Sequence, residues 1–314
     1  MALPFTDQVS ATTHSLLEST SDDNVYGSAS LLYHLKETGQ VVADGGDFIQ
    51  RDIVYQKLGA AGSYSGADIL DTTPTDTDTA AKANWKSYYV HVVITKTDLL
   101  RNSGDNAKVS LIESKTKNSQ LKMGDQLSTD MFSTNADSAT GITGLRNAAS
   151  TSTTHHSIAV ADFAGWIADV DSTTSALTLS AMEQSFLDSS VGGDSPTICV
   201  TTARVFKKYW ALLQSVQRFG EAQTANGGFK YLLFNGIPVF HDSHCPGTAS
   251  TANNHMFFLN TRHLFLYVNE KDNFSVEKLP PPHTQAITVH RLGWTGNLVV
   301  TNRRMISVFT VLNY

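Results

Sequence analysis

The chain has 314 residues, 41% of them hydrophobic and 17% charged, with a formal net charge of -6. That is enough apolar material for one large or two smaller cored domains. The acidic balance excludes a protein whose main task is gripping nucleic acid through a basic stripe, though not one that encloses nucleic acid behind a weakly charged face.

Two cysteines, Cys199 and Cys245, make no disulfide framework and fit a reducing cytoplasm. The N-terminus "MALPFTDQVSATTHSLL" has neither a basic region nor an apolar run, so no signal peptide is expected. No apolar run is long enough to span a membrane, so no membrane partner is expected.

Residues 1–45 are polar and poor in core residues, and are expected to be an arm that orders by lying on something else. Within them "SASLLYHLKETG" predicts a helix that starts at a Ser cap and stops at Gly39. Residues 46–96 follow as an extended excursion. "DFIQRDIVYQKL" and "WKSYYVHVVITK" are its two predicted strands, the second alternating Tyr88, Val90, Val92 and Ile94 against Ser87, His91 and Thr95. Between them lies a Gly-, Thr- and Asp-rich loop longer than compact domains usually carry. Such a hairpin cannot bury both its faces alone and is expected to bury them on another molecule.

Residues 105–133 read as a long helix of roughly 40 Å. Val109, Ile112, Thr116, Met123, Leu127 and Met131 form a thin apolar stripe, with Glu113 and Lys117 an i, i+4 pair. The stripe predicts a helix lying along a sheet with one face in water. "LTLSAMEQSFLDSS" reads as a further helix. "SPTICVTTARVFKKYWALLQSVQRFG" reads as a buried strand, a Thr cap, and a helix with Phe206, Trp210, Leu213 and Val216 on its core face and Gly220 at its end. Strands dominate the remainder. The fold class is α+β, with a domain at 97–136 and 286–314 and a second domain, 137–285, inserted into it.

Chemistry is sparse. "FNGIPVFHDSHCP" offers His241, Asp242, His244 and Cys245 within five residues, but no second ligand cluster matches them in a zinc spacing. A turn at Asn235-Gly236, a strand and a second turn explain the stretch better, with Asp242 and Ser243 capping their own backbone and Pro238 at an edge or strand start. A metal-dependent enzyme using His241, His244 and Cys245 stays as a lesser alternative. His155-His156 is expected in a solvated loop. There is no nucleophile elbow and no phosphate loop. The acidic residues near "DTTPTDTD" lack the EF-hand spacing and read as a solvated tip. "TARVFKKYW" reads as the basic outer face of an amphipathic helix. No set of acid, base and nucleophile can be assembled, so no enzyme and no cofactor is expected.

The order of elements is more informative than any motif. An arm, the loop "GGDFIQRDIVYQKLGAAGSYSGADILDTTPTDTDTAAKANWKSYYVHVVITK", a long helix, the strand–helix "PTICVTTARVFKKYWALL", and "FNGIPVF" followed by "MFFLNTRHLFLYV" together resemble the major capsid proteins of tailed double-stranded DNA bacteriophages, the HK97-like fold. The resemblance covers nearly the whole chain. It implies an N-terminal arm (1–45), an extended loop (46–96), a peripheral domain with a spine helix (97–136 and 286–314) and an axial domain (137–285). It further implies self-assembly into hexamers and pentamers of an icosahedral head around packaged double-stranded DNA. Portal and separate scaffolding or decoration proteins would be partners, the virion the location, and the host cytoplasm the place of assembly. An encapsulin-type compartment is the alternative on the same fold.

Two departures from the family matter. The loop from Leu58 to Ala81 has no Lys, with Lys57 and Lys82 only at its base, so the loop-Lys to Asn crosslink of the family's namesake is not expected. No long charged helical region precedes the arm, so scaffolding is expected as a separate protein or one already trimmed. Finally, the acidic tip with Asp68, Asp71, Asp76 and Asp78 is expected to dock near Arg303 or Arg304 of a neighbouring copy.

Overall fold

The computed structural model describes residues 29–54, 61–71, 73, 76–97, 105–163, 165–173, 175–215, 223–224, 230–247, 253–280 and 286–313. Two sheets organise them.

The first sheet is built on β14 (Ile287–Val300), the longest strand. Its partners are β12 (Leu264–Asn269), β13 (Ser275–Leu279) and β4 (Lys86–Thr95), all antiparallel, with β1 (Val41–Asp44) parallel to β12. Ten consecutive residues of β4 pair with β14, from Lys86↔Gly296 to Thr95↔Ile287. The long helix α2 (Asp105–Met131) lies along this sheet. Thr116, Gln120, Met123, Leu127 and Met131 are buried, at the 3- and 4-residue steps expected of one helix face. The side chains of Val109, Ile112 and Glu113 lie outside the described set.

The second sheet runs β5 (Asp169–Asp171), β15 (Ile306–Asn313), β11 (Asn254–Leu259), β7 (Ile198–Thr201), β10 (Ile237–His241), β9 (Lys230–Phe234) and β8 (Gln223–Thr224), with β6 (Ser175–Ala176) also on β15. Its central strands are covered on both faces, so they read as continuous apolar runs. Ile198, Val200, Phe240, Phe257, Leu259 and Val308 turn into the main core with α1 (Ser30–Glu37) and α2. Cys199, Val239, Met256, Phe258 and Phe309 turn the other way, under α4 (Leu179–Asp188) and α5 (Ala203–Ser215). The period-2 alternation of a strand accounts for this division. Each fully buried Phe or Leu contributes about 2–3 kcal/mol of apolar transfer free energy. A one-turn helix α3 (Leu145–Ala148) follows α2.

Local chemistry sets several boundaries. The chain leaves α1 through a Schellman turn: the Gln40 N–H donates to Leu35 O and the Gly39 N–H to Lys36 O, with Gly39 at φ +70°. Asn235 and Gly236 both have positive φ, the two-residue turn that suits the twist of the β9–β10 hairpin. β10 is a central strand, yet Pro238 costs no ladder bond to β7, because that pairing begins at Val239. Thr178 caps α4 through the Ala181 N–H.

The structure differs from the sequence-based expectation in four places. First, the partner of β2 (Phe48–Val54) is β3 (Asp78–Asn84), not 85–96. The chain bends at Trp85, whose indole N–H donates to Gly46 O at 2.8 Å, and β4 then enters the first sheet. The small, polar residues of "DTAAKAN" carry almost no strand signal. Second, the division at 137–285 does not follow the sheets. β12 and β13 lie in the first sheet, while β15 lies in the second.

Third, residues 29–44 belong to the chain's own body. Leu31, Leu32 and Leu35 are fully buried in the main core and β1 pairs with β12. Of the arm expected at 1–45, residues 1–28 lie outside the described residues. Fourth, the core face of α5 is rotated. Val205 and Tyr209 are buried and Trp210 is 38% exposed, because the sheet meets the helix one residue earlier than the apolar spacing suggests; Phe206 and Leu213 still pack on the core, partly buried, and Val216 lies outside the described residues. The end expected at Gly220 lies outside the described residues.

Candidate assembly surfaces

The β2–β3 hairpin forms a two-stranded sheet of its own. Ile49 faces the same way as Ala83, and Arg51 the same way as Ala81, since cross-strand partners share a face. That face lies on the chain's own body in two patches. Near the base, Ile49 and Ala83 pack with Tyr267 and Val299. The Arg51 guanidinium stacks over Phe265 at 4.8 Å and Tyr267 at 5.9 Å. Further out, Ile53 and Ala81 pack on Ile158 and Trp166. The opposite face, with Phe48 49% exposed, looks outward.

Beyond the hairpin the loop is exposed at each described position from 61 to 71. Ile69 is 99% exposed, Tyr64 67% and Leu70 57%. The carboxylates there shape the loop. Asp68 accepts the Ser65 N–H at 2.9 Å, and Asp71 accepts the Thr73 N–H at 3.0 Å and hydroxyl at 2.7 Å. The Thr73 hydroxyl, then its N–H, holds the Asp71 carboxyl below the usual range. Asp78 opens β3 opposite Val54 and accepts the Thr77 hydroxyl, and Asp76 is exposed. Ile69 and Leu70 were overlooked in reading the sequence, where the acidic residues around them dominate. An adjacent apolar pair within a Gly- and Asp-rich loop was the available signal.

A shallow cleft of about 420 Å³ runs between β4 and α2, lined by Val90, His91, Val93, Lys115, Asn118 and Lys122. Beside it Tyr89 is 66% and Val93 42% exposed. Two exposed apolar side chains of β4 thus lie beside a mixed polar cleft rimmed by Lys115 and Lys122.

Arg303 cannot serve as the basic docking group. Its side chain is fully buried, and its five N–H donors meet five backbone carbonyls of the same chain. Nε donates to Ala148 O at 2.7 Å. Nη1 donates to Thr153 O and Trp166 O, both at 3.0 Å, and Nη2 to Asn147 O and Ser150 O. Burial pushes its pKa down to about 10. Arg304 is exposed, so of the two arginines it alone can reach a neighbour.

The His241–Cys245 stretch is divided among three environments. His241 is exposed at the end of β10, its ring 5.4 Å from Phe206. Cys245 is buried with Sγ 3.7 Å from His255 O, and burial pushes its thiol well up. His244 sits between two carboxylates, Nδ1 3.4 Å from Asp242 and Nε2 3.4 Å from Asp125 on α2. Its hydrogen bond to Asp242 raises its pKa. Among the described residues no three His, Cys, Asp or Glu side chains are grouped to hold a metal. Asp242 itself has a role beyond its own turn. It accepts the His244 N–H, the Ser30 hydroxyl and the Leu31 N–H, joining the second sheet to the start of α1.

The expectation of a solvated His155-His156 is also corrected. Both are buried, with ring centroids 3.8 Å apart. His156 is held by Asp137 at Nδ1 (3.2 Å) and by the Val300 N–H at Nε2 (3.2 Å), and His155 by Asn147 at Nδ1 (2.8 Å). Burial, then His156 and Arg303, holds the His155 pKa well below the ordinary imidazole value. Flanking Ser and Thr masked the pair, whose partners lie far away in sequence.

No family model and no curated protein matches this sequence. Solved structures do match. A capsid asymmetric unit of cyanophage A-1(L) is 16% identical at a TM-score of 0.64, covering 88% of this chain and 91% of that one. The capsid of a native GTA particle is 12% identical at 0.61, covering 89% and 90%. An encapsulin from Synechococcus elongatus is 10% identical at 0.59, covering 87% and 85%. The chain therefore has the fold of phage capsid and encapsulin shell proteins. This is the HK97-like fold, shared over 87–89% of the chain in these three matches.

Proposed function

We propose that this chain is the major capsid protein of a tailed bacteriophage, a structural subunit without catalytic activity. Copies assemble as hexamers and pentamers into an icosahedral shell around double-stranded DNA in the virion, after assembly in the host cytoplasm. The observation that carries this reading is a phage-capsid fold whose hairpin projects a loop with Ile69 and Leu70 bare to water. Such a loop gains its missing cover from a neighbour in a closed, repeated assembly.

In this reading the first sheet with α2 is the peripheral domain, the second sheet with α4 and α5 the axial domain, and the hairpin the extended loop. The tip lies on a second copy, with Asp68, Asp71, Asp76 and Asp78 near basic groups such as Arg304. Portal and separate scaffolding or decoration proteins are further partners. Electron microscopy of the expressed protein tests the proposal. Closed particles or hexamers are expected, and a compact monomer at all concentrations overturns it. Shells from the natural source that hold protein cargo and no nuclease-protected DNA favour the encapsulin-type compartment, whose fold is the same.

A further inference from the structure

Two hydrogen-bond assignments fix the protonation state of the buried histidines. His156 Nε2 accepts the Val300 N–H, so it carries no proton, and Nδ1–H donates to Asp137. His155 Nδ1 faces Asn147 Oδ1, an acceptor, so Nδ1 carries the proton there too. That leaves His155 Nε2 as a buried lone pair with no partner among the described residues. In this bonding neither ring has room for a second proton without losing a contact. On His156 the added proton would point at the Val300 N–H. On His155 it would meet no acceptor.

The charged groups around the pair are few. Asp137 lies against His156, and Arg303 sits behind His155 with its N–H groups committed to carbonyls. Lys86 donates to the Asp137 and Ala139 carbonyls and so approaches the same loop. The side chain of Lys82 lies on the outer face of the hairpin, over Phe48. Asp137 favours a proton on the pair, whereas Arg303 and the reversed Val300 contact oppose it.

The same turn grips the hairpin. The Lys82 N–H donates to His156 O at 3.1 Å, and the Ser157 hydroxyl reaches Lys82 O. Ile158, the next residue, packs on Ile53 and Ala81 with Trp166, whose indole N–H donates to His155 O. His156 and Ser157 adopt positive φ of 51° and 64°, so the turn is held in a conformation that such residues seldom take. A turn under such strain releases when its internal bonds are lost.

We propose that the His155–His156 pair is an acid-released clasp that seats the β2–β3 hairpin on the body of the protein. A proton is taken up on His155 only in the opened state, where its ring reaches water. The clasp is therefore closed above the ordinary imidazole pKa of about 6.5 and opens progressively below it, by at most about tenfold per pH unit for that one proton. Its contacts lie within one chain and hold whether or not the protein forms shells.

Thiol accessibility tests it. Ala81→Cys places a reporter beneath the clasp, and Ser63→Cys an exposed reference. Both react with 4,4′-dithiodipyridine across the pH range, and Cys199 and Cys245 are buried. From pH 7.5 to 5.5 the labelling rate of Ala81→Cys relative to Ser63→Cys is expected to rise about tenfold. With His155→Gln and His156→Asn added the ratio stays flat, while His91→Gln, on an exposed His, leaves the rise intact. His156→Asn alone, with a side chain suited to that backbone, reduces the rise. A flat ratio in the native background, or an equal rise in the variants, overturns the proposal.

Discussion

The Asp242 carboxylate accepts the Leu31 N–H at 3.2 Å across 211 residues of sequence. Helix α1 thus takes its N-terminal cap from the turn after β10, since its own Ala29 has no side chain that can cap it. The same oxygen accepts the Ser30 hydroxyl at 3.1 Å, and both donors are buried. Asp242→Ala would strand the Leu31 N–H, while the Ser30 hydroxyl keeps the His241 carbonyl at 3.0 Å, and is expected to cost about 2 kcal/mol in chemical denaturation. Asp242→Asn, which keeps an acceptor, should cost about 1 kcal/mol. Equal losses in the two variants would show that the charge, not the cap, is what matters.

His244 extends this joint to α2 through Asp125. Its pKa is raised, chiefly by the Asp242 hydrogen bond. That of Asp242 is lowered, since burial pushes it up but bonds from His244, Leu31 and Ser30 outweigh it. A raised imidazole pKa stabilises the fold fully below its unfolded value of about 6.5 and ceases to do so as pH rises through the folded value. A lowered carboxyl pKa stabilises above about 3.9 and is lost as pH falls through the folded value. The difference in Tm between the native protein and His244→Gln should therefore be largest near pH 5.5 and shrink toward pH 8. A difference that grows with pH would reverse the assignment.

Arg303 illustrates a buried charge satisfied by dipoles alone. Its removal takes the Arg303 donors from five carbonyls around the 147–166 segment that seats the hairpin; Asn147 O keeps the Thr153 hydroxyl and Ser150 O the Ala168 N–H, whereas Ala148 O, Thr153 O and Trp166 O are left without another hydrogen bond among the described residues. Arg303→Met is expected to destabilise by about 3 kcal/mol or more in urea titration. Arg303→Lys should recover only a minor part, because one ammonium with three donors cannot span the carbonyls that a planar guanidinium does. Full recovery by Lys would mean that charge alone suffices.

What could be read from sequence followed range. The stripe on α2, the Asn235-Gly236 turn, the alternation of β4 and the Thr202 cap of α5 are set by residues within a few positions, and each is where periodicity or turn chemistry places it. The order of such elements was enough for the fold. Illegible features depended on distant partners. Arg303 looked like a surface cation because its carbonyl partners carry no side-chain signature. His155 and His156 looked solvated because Asp137, Asn147 and Val300 come together only in three dimensions. β15 joined the second sheet because its register with β11 is set by packing that no single strand encodes.

The relative weight of charge and apolar area decides how the tip should behave in assembly. Each exposed ion pair made by Asp71 or Asp76 would contribute little, and less in salt. Covering Ile69 or Leu70 would contribute about 2 kcal/mol each. The acidic groups also have local work, as Asp71 already holds Thr73. Ile69→Asp with Leu70→Asp should thus prevent particle formation, scored by sedimentation and electron microscopy. The variant subunit should keep its denaturation midpoint, because both side chains are exposed. Asp71→Lys with Asp76→Lys should weaken particles only at low ionic strength, an effect visible because it is repeated over many copies. If the charge reversal abolishes particles while the apolar pair can be replaced freely, the tip docks by electrostatics and the order of magnitudes argued from exposure is wrong.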